Sequence, residues 1–183
     1  MEKIIACAVD GIQGIKVEVQ VHVERGAKFY MVGLPDNAVK ESHYRISAAL
    51  KNNGLLLPVR HIIINLAPAD IRKEGSAYDL PIAIGILLAT SQLNFTSIDQ
   101  YLVMGELSLD GSIKAIKIEK LFYLSVYTCG LSLLISSALG MPVKTGSVIL
   151  NGKGCVFSNL LNKVNFSPLI HAISLIQTNQ PNL

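Results

Sequence analysis

The sequence predicts an α/β (α+β) protein in which helices pack on a mixed β-sheet. Short apolar segments of strand length alternate with segments of helical periodicity along most of the 183 residues. Half of the residues are hydrophobic and the mean hydropathy is +0.44, yet the longest apolar runs are too short to cross a bilayer. A chain this apolar needs strands that are buried on both faces, and a sheet covered by helices provides them.

Two strands open the chain, and a glycine-bounded turn between them predicts a hairpin. The first strand covers residues 3–11 and the second covers residues 15–24. In the second strand, valines at four successive odd positions alternate with polar residues, which is the period-two pattern of a strand with one buried face. Residues 29–34, "FYMVGL", are predicted to form a third strand.

Two helices flank the next strand. The first is predicted over residues 35–54, because Pro35 and Asp36 suit its first turn and "NNG" ends it. The apolar strand "HIIINLA" follows at residues 61–67, and the second helix covers residues 78–92. A polar segment separates this strand from the second helix.

The remaining elements complete a single domain over residues 1–183, in which residues 166–183 are a candidate linker. Asp110 and Gly111 form a dipeptide that is typical of tight hairpins. The predicted strands are residues 101–109, 112–117, 131–136, 147–150 and 155–157, and the predicted helices are residues 119–128 and 169–177.

Charged residues, cysteines and histidines predict no metal or nucleic-acid site by themselves. The formal net charge is +3, and the sequence has no cluster of Arg and Lys with interleaved aromatic residues. The three cysteines lie far apart, which is typical of reduced, buried thiols in a cytoplasmic protein. The four histidines lack the spacing of metal ligands, so no metal site is predicted.

The glycines do not form a phosphate-binding loop. The nearest approach is "GSVILNGKG" at Gly146–Gly154, which has five residues between its first two glycines where the motif requires four. Gly154 also stands where the motif needs the hydroxyl that binds Mg²⁺. We interpret "NGKG" as a hairpin turn and predict no nucleotide cofactor in this chain.

The polar segment before the second helix holds a serine and a lysine. Such a pair can act as nucleophile and base when the serine lies at a helix start and the lysine reaches it from another element. Here Lys73 precedes Ser76 in the same loop, so the spacing favours an N-cap role for the Ser76 hydroxyl. Asp79 would complement the helix dipole, and Lys73 with its charged neighbours fits a solvated loop.

Three long blocks of the sequence match a known family nearly residue for residue. They are "MVGLPDNAVKES", "INLAPADIRKEGSAYDLPIAIGILLA" and "MGELSLDGSIKAI". These blocks resemble the N-terminal domain of the ComM/YifB proteins, which are also labelled magnesium-chelatase-like or chelatase subunit I-like. The resemblance covers about the first two-thirds of the chain and fades from about Lys117. Five loop positions within it are predicted to have a structural role: Gly75, Ser76, Asp79, Glu106 and Gly111.

The resemblance implies a Lon proteolytic-domain-like fold with a ribosomal protein S5 domain 2-like architecture. In Lon, a nucleophilic serine begins the corresponding helix. Here Ala77 takes that place, and the second member of the catalytic dyad corresponds to Lys120. An alanine methyl group cannot attack a carbonyl, and Ser76 would point about 100° away around a helix. The resemblance therefore implies no catalytic residue and leaves Ser76 as a weak candidate.

The resemblance also implies a role beside an ATPase. Family members carry an AAA+ module after this domain, so ATP and Mg²⁺ are expected in that module and no cofactor in this chain. The implied function is ring assembly with neighbouring protomers and contact with DNA or a partner during DNA recombination and competence, in the cytoplasm and without a membrane. Two alternatives stay open: a residual peptidase that uses Ser76 and Lys120, and, less favoured, an accessory domain of a chelatase-type ATPase. The candidate contact residues are Lys40, Arg45, Arg72 and Lys73.

Overall fold

The computed structural model describes residues 1–10, 13–94, 98–114, 132–135, 148–149 and 155–156. The strands are β1 (Glu2–Asp10), β2 (Gln13–Glu24), β3 (Phe29–Val32), β4 (His61–Ala67), β5 (Tyr101–Met104), β6 (Glu106–Leu107), β7 (Ile113–Lys114), β8 (Ser132–Ile135), β9 (Val148–Ile149) and β10 (Cys155–Val156). The helices are α1 (Asn37–Lys40), α2 (Ser42–Asn52) and α3 (Asp79–Ala89), with single 3-10 turns at Ser76–Tyr78 and Ile98–Gln100. The predicted α+β class, with helices on a mixed sheet, is confirmed.

Six strands form one mixed sheet in the order β3-β4-β2-β1-β5-β8. Strand β2 pairs antiparallel with β1 and with β4, whereas the pairs β3–β4, β1–β5 and β5–β8 are parallel. The predicted hairpin is confirmed, with Glu2 opposite Val21 and Asp10 opposite Gln13. In the described part of the chain, β3 therefore lies at one edge of the sheet.

The valine alternation in β2 builds one apolar face of this sheet. The side chains of Val17, Val19 and Val21 are fully buried. The register places Val19 opposite Leu66 and Val21 opposite Ile64, and both β4 residues are also buried. Because successive side chains of a strand point to opposite faces, β2 and β4 present a continuous apolar surface to the helices.

Helix α3 lies at the centre of the core. Every residue from Asp79 to Leu88 is buried, as expected for a helix that is apolar on almost all sides. The helix packs on β1 and β2, and a Cβ atom on Gly85 would lie 2.6 Å from Val21 Cγ2. The absence of a side chain at Gly85 thus lets the helix approach the strand closely.

The single helix predicted over residues 35–54 is wrong in one detail, because the chain forms two helices separated at Glu41. Arg45 Nη2 donates to the Ala38 carbonyl at 2.7 Å, an oxygen that a continuous helix would give to the amide four residues later. The predicted start near Asp36 and the end at "NNG" are confirmed.

The strand predicted over residues 101–109 is interrupted at Gly105. The Gly105 N–H donates to the Ala77 carbonyl at 2.8 Å, and the Gly105 carbonyl accepts from the Leu80 N–H at 3.0 Å. A Cβ atom at this position would lie 3.0 Å from Ile113 Cγ2. The backbone of Gly105 therefore serves the start of α3, and β6 leaves the main sheet to pair with β7.

The other predicted elements agree with the structure where it describes them. The second helix is confirmed as α3, although it ends at Ala89, and strand 61–67 is confirmed as β4 with the predicted bounds. The last three predicted strands are confirmed as β8, β9 and β10. The helices predicted at residues 119–128 and 169–177, the "NGKG" turn, the linker at residues 166–183 and Lys120 lie outside the described residues.

Candidate functional site

The polar loop between β4 and α3 is paired to the chain that leaves β3. The Lys73 N–H donates to the Leu34 carbonyl at 3.1 Å, and the Asp36 N–H donates to the Lys73 carbonyl at 2.9 Å. Pro35 and Lys73 thus form a parallel bridge outside the sheet. The loop is therefore held along its backbone by a segment almost forty residues earlier.

The Asp36 carboxylate holds both sides of this pairing. Its Oδ1 atom accepts from the Val39 N–H at 2.7 Å and caps α1. Its Oδ2 atom accepts from the Gly75 N–H at 3.0 Å. Gly75 has φ 81° and ψ 177°, a backbone conformation that is close to exclusive to glycine. One side chain therefore fixes the start of a helix and the turn of the loop.

Lys73 is buried inside the loop, so its predicted place in a solvated loop is wrong. The side chain has no exposed surface, and Nζ donates to the carbonyls of Pro68 and Ile71. Burial lowers the pKa of the ammonium group, and the nearby Asp70 carboxylate opposes that effect. The ammonium group faces the loop's own carbonyls and cannot reach a molecule at the surface.

Arg45 is committed to a buried ion pair with Asp79. The Nε–Oδ2 distance is 2.7 Å and the Nη2–Oδ1 distance is 2.9 Å. Asp79 is fully buried, and Oδ2 also accepts from the Leu107 N–H at 3.1 Å. Asp79 lies on the first turn of α3 as predicted, but its partners are this guanidinium and this amide. The guanidinium of Arg45, a predicted contact residue, is therefore engaged by Asp79 within the protein.

The titration of the pair reflects burial and mutual hydrogen bonding. Burial raises the pKa of the Asp79 carboxyl, whereas the hydrogen bonds from Arg45 and Leu107 oppose that increase. The hydrogen bond to Asp79 raises the pKa of Arg45, which stays charged at every accessible pH. The pair ties α2 to the start of α3 and to β6.

Ser76 is not the predicted N-cap, because its hydroxyl donates to Glu106 Oε2. Neither the 3-10 turn at Ser76–Tyr78 nor α3 has a side-chain cap at its start. The Leu80 N–H, in the first turn of α3, binds the Gly105 carbonyl of the neighbouring segment. The serine therefore joins the loop to β6.

The position implied for a Lon-type nucleophile holds Ala77, whose side chain is partly buried against the core. Its carbonyl accepts from Gly105 N–H, so its backbone also serves the structure of the loop. Lys120, the implied second member of the dyad, lies outside the described residues. The partner that the structure gives to Ser76 is Glu106.

Two of the predicted contact residues are exposed. Lys40 ends α1 and is open to solvent, and Arg72 is 71% exposed with its Nε atom 3.0 Å from Glu74 Oε1. Arg72 borders an open cleft of about 450 Å³, lined also by Leu34, Pro35, Asp36, Asn37 and Ala38. Lys40 and Arg72 are therefore available to a partner. The charged groups of Arg45 and Lys73 are instead bonded within the protein.

The turn at Gly111 lies beyond Glu106 and closes the β6–β7 hairpin as predicted. Gly111 has φ 86°, and its N–H donates to the Ser108 carbonyl at 2.9 Å. The Ser108 N–H donates in turn to the Ser112 carbonyl at 2.8 Å. The hairpin thereby presents Glu106 to the loop.

Sequence reasoning missed the pairing of Arg45 with Asp79, although a signal for it exists. Asp79 lies in the first turn of a helix that is otherwise apolar, and a carboxylate is almost never fully buried without a partner. A cation was therefore required nearby. Within the described residues, no group of three or more His, Cys, Asp or Glu side chains has the arrangement of a metal site.

Comparison with known proteins decides the family of this chain. The family described as subunit ChlI of Mg-chelatase matches residues 17–132, which is more than half of the chain. The chain belongs to this family. The matched region contains the whole loop from β4 to α3 together with its partners in α1, α2 and β6. The loop and its partners therefore lie within the region that matches the family.

Relatives of the ComM and YifB type confirm the resemblance. The uncharacterized protein YifB of Escherichia coli is 36% identical over 155 residues, which is 84% of this chain and 30% of that protein. The competence protein ComM of Haemophilus influenzae is 43% identical over 107 residues, which is 58% of this chain and 21% of that protein. The chain thus spans less than a third of the length of these relatives. No helix in its described part has the length and apolarity needed to cross a membrane.

Proposed function

We propose that this chain is a non-catalytic contact domain of a ComM/YifB-like AAA+ protein. Its role is to join neighbouring protomers and to bind DNA or a partner protein. One observation carries the proposal: the serine and the lysine of the loop are each committed to internal hydrogen bonds and do not face one another as nucleophile and base. The Ser76 hydroxyl donates to Glu106, and the Lys73 ammonium donates to two carbonyls of its own loop.

The wider setting of this function comes from the relatives. One of them is a competence protein, and we extend to this chain a role in DNA recombination in the cytoplasm. ATP and Mg²⁺ would act in the AAA+ module of the parent protein. The Lon-like scaffold would be retained for its shape, with Ala77 where the nucleophile of Lon stands.

The exposed cations Lys40 and Arg72 are the predicted contact residues that this function can use. Lys40 lies at the end of α1, and Arg72 borders the cleft that α1 helps to form. Arg72 thus lies beside Leu34, in the segment that leaves β3 and pairs with the loop. A partner that binds at this cleft would contact both α1 and the loop.

Three measurements on the whole chain test the proposal. We expect fluorescence anisotropy to show binding to a labelled oligonucleotide or sedimentation velocity to show self-association, and fluorogenic peptides to stay uncleaved. Peptide hydrolysis that Ser76→Ala abolishes would overturn the proposal in favour of a peptidase. A chain that is monomeric at high concentration and binds no oligonucleotide at low salt would overturn it as well.

A further inference from the structure

The edge strand β3 presents a strip of apolar side chains to solvent. Tyr30, Val32 and Leu34 alternate along the chain and are 46%, 49% and 54% exposed. Phe29 and Met31, on the opposite face, pack against the core. The strip is therefore the outward face of the strand, and the fold leaves it uncovered in the described part of the chain.

An aromatic ring stands at one end of this strip. The ring of Tyr30 lies edge-on to that of His61, with centroids 5.3 Å apart and planes at 63°. His61 is held in turn, because its Nδ1 atom is 2.9 Å from Glu24 Oε1. Tyr30 is thus a partly exposed aromatic ring on a fixed support, which is what an unpaired base needs for stacking.

Cations gather at the same end because of the sheet topology. Strands β3 and β4 are parallel, so the turn that enters β3 lies beside the segment that enters β4. The Ile62 N–H donates to the Lys28 carbonyl at 2.8 Å across this boundary. Arg25, Lys28 and Arg60 are all exposed there. Among the described residues, no carboxylate lies within 4.0 Å of their charged groups.

The acids near the strip are already paired. Glu24 lies between His22 and His61, at 3.6 Å and 2.9 Å, and Glu74 lies against Arg72. Arg72 lies at the other end of the strip, where it lines the same cleft as Leu34. Strand β3 itself spans about 13 Å from Phe29 to Val32. The surface is therefore an apolar strip with cations at both ends.

The geometry of the edge disfavours the addition of a protein strand. Strand β3 has only four residues, and Leu34 with φ 54° turns the chain away directly after it. Short edges of this kind resist pairing with another strand. A phosphate backbone needs no such ladder, because it is held by cations and by stacking of its bases.

We propose that the β3 edge, defined by Tyr30, Val32 and Leu34 with Arg25, Lys28 and Arg60 at its entry, binds single-stranded nucleic acid. Tyr30 stacks on a base, and the three cations contact phosphates. Arg72 receives the strand at the other end. This inference rests on the proposed function and names both the partner and the surface that binds it.

The test measures anisotropy of a fluorescein-labelled 20-nucleotide oligo-dT with the whole chain, over a series of salt concentrations. We expect the triple variant Arg25→Glu/Lys28→Glu/Arg60→Glu to bind at least about 10-fold more weakly at low salt. Its slope of log affinity against log salt should be shallower by about 2. The matched control, Lys16→Glu/Lys51→Glu/Lys114→Glu, changes the net charge equally at exposed positions elsewhere and should retain a slope close to that of the wild type.

Substitution of the aromatic ring separates stacking from charge. We expect Tyr30→Ala to weaken binding about 5-fold or more with the salt slope unchanged, and Tyr30→Phe to restore it. A duplex of the same length should bind more weakly than the single strand. Circular dichroism and thermal unfolding of each variant exclude loss of fold as the cause.

Each remaining outcome contradicts the inference in a distinct way. If the two triple variants lose the same affinity for the oligonucleotide, nucleic acid binds at another surface. The inference would then be wrong, and the proposed function would remain intact. Equal affinity for duplex and single strand, with Tyr30→Ala neutral, would replace base stacking by phosphate contact alone and overturn the inference. Self-association without any oligonucleotide binding would overturn the inference and leave the proposed role in joining protomers intact.

Discussion

Arg45 and Asp79 form a bidentate ion pair beside the loop that precedes α3. The Nε–Oδ2 distance is 2.7 Å and the Nη2–Oδ1 distance is 2.9 Å. Asp79 has no exposed surface, and the same carboxylate accepts the Leu107 N–H. The Asp79 carboxylate of α3 therefore binds both α2 and β6, so three elements that are distant in sequence meet at one charged group. The stability of the loop depends on that charge remaining paired.

Removal of one partner of this pair should destabilise the protein strongly. We expect Asp79→Ala to lower the free energy of unfolding by about 3–5 kcal/mol, because it leaves the Arg45 guanidinium in a largely buried place without its counter-charge. The double variant Arg45→Met/Asp79→Leu should lose less than the single variant. Urea denaturation of the wild type, Asp79→Ala, the double variant and its two single variants, Arg45→Met and Asp79→Leu, measures these free energies. A double variant as unstable as the sum of its single variants would show that the two residues do not act as a pair.

The shared carboxylate of Asp36 makes a second prediction. We expect Asp36→Ala to cost about 2–4 kcal/mol, because it removes the cap of α1 and the acceptor of the Gly75 N–H together. Asp36→Asn keeps one carbonyl oxygen and should cost about half as much. Chemical denaturation gives the free energies, and amide hydrogen exchange at Gly75 and Val39 shows which bond was lost. Equal costs for the two variants would mean that the oxygen retained in Asp36→Asn contributes nothing, and would contradict the prediction.

Substitution of Lys73 shows whether this cation contributes to the stability of the fold or to nucleic-acid binding. We expect Lys73→Met to lower stability by about 1–3 kcal/mol, because the carbonyls of Pro68 and Ile71 lose their donor. Nucleic-acid affinity should not change, since the ammonium group is not at the surface. Arg72→Met is the matched control, and it should weaken binding and leave stability within about 0.5 kcal/mol. The reverse pattern, measured by denaturation and anisotropy, would contradict the burial of Lys73.

Tyr78 predicts a loss of stability in alkali. Its hydroxyl donates to the Cys7 carbonyl at 3.0 Å, and burial raises its pKa above the ordinary value of 10.0. A raised pKa in the folded state contributes stability that is complete below the unfolded pKa and is lost as the pH rises above about 10. Tyr78→Phe should be less stable by about 1 kcal/mol at pH 7, and that difference should shrink as the pH rises above about 10. A constant difference between the two proteins in urea denaturation across this range would contradict the prediction.

The strands could be predicted from the sequence because their pattern is local. The alternating valines of β2 and the apolar run of β4 define their own faces, and the bounds of β4 agree with the prediction. The break at Gly105 could not be predicted, since its backbone groups bind Ala77 and Leu80 from a segment about 25 residues earlier. Local periodicity carries no information about such a partner.

The polar loop shows the same limit in its side chains. Ser76 fits an N-cap by position, but Glu106 comes from 30 residues away and takes its hydroxyl. Lys73 lies among other charged residues, which predicts exposure, and the fold instead encloses it with carbonyls. The cations and the aromatic ring of the β3 edge are separated by up to 35 positions in sequence, and the parallel pairing of β3 with β4 brings them together.

The backbone pairing of Leu34, Asp36 and Lys73 has a mechanical consequence. The chain that leaves β3 and the loop that leads into α3 share two amide hydrogen bonds, so neither can shift without stretching the other. A load applied to the outer strand is thereby passed along main-chain bonds into the helix at the centre of the core. Asp36 is the residue that joins the edge of the sheet to the loop, so a displacement of β3 is transmitted through it towards α3.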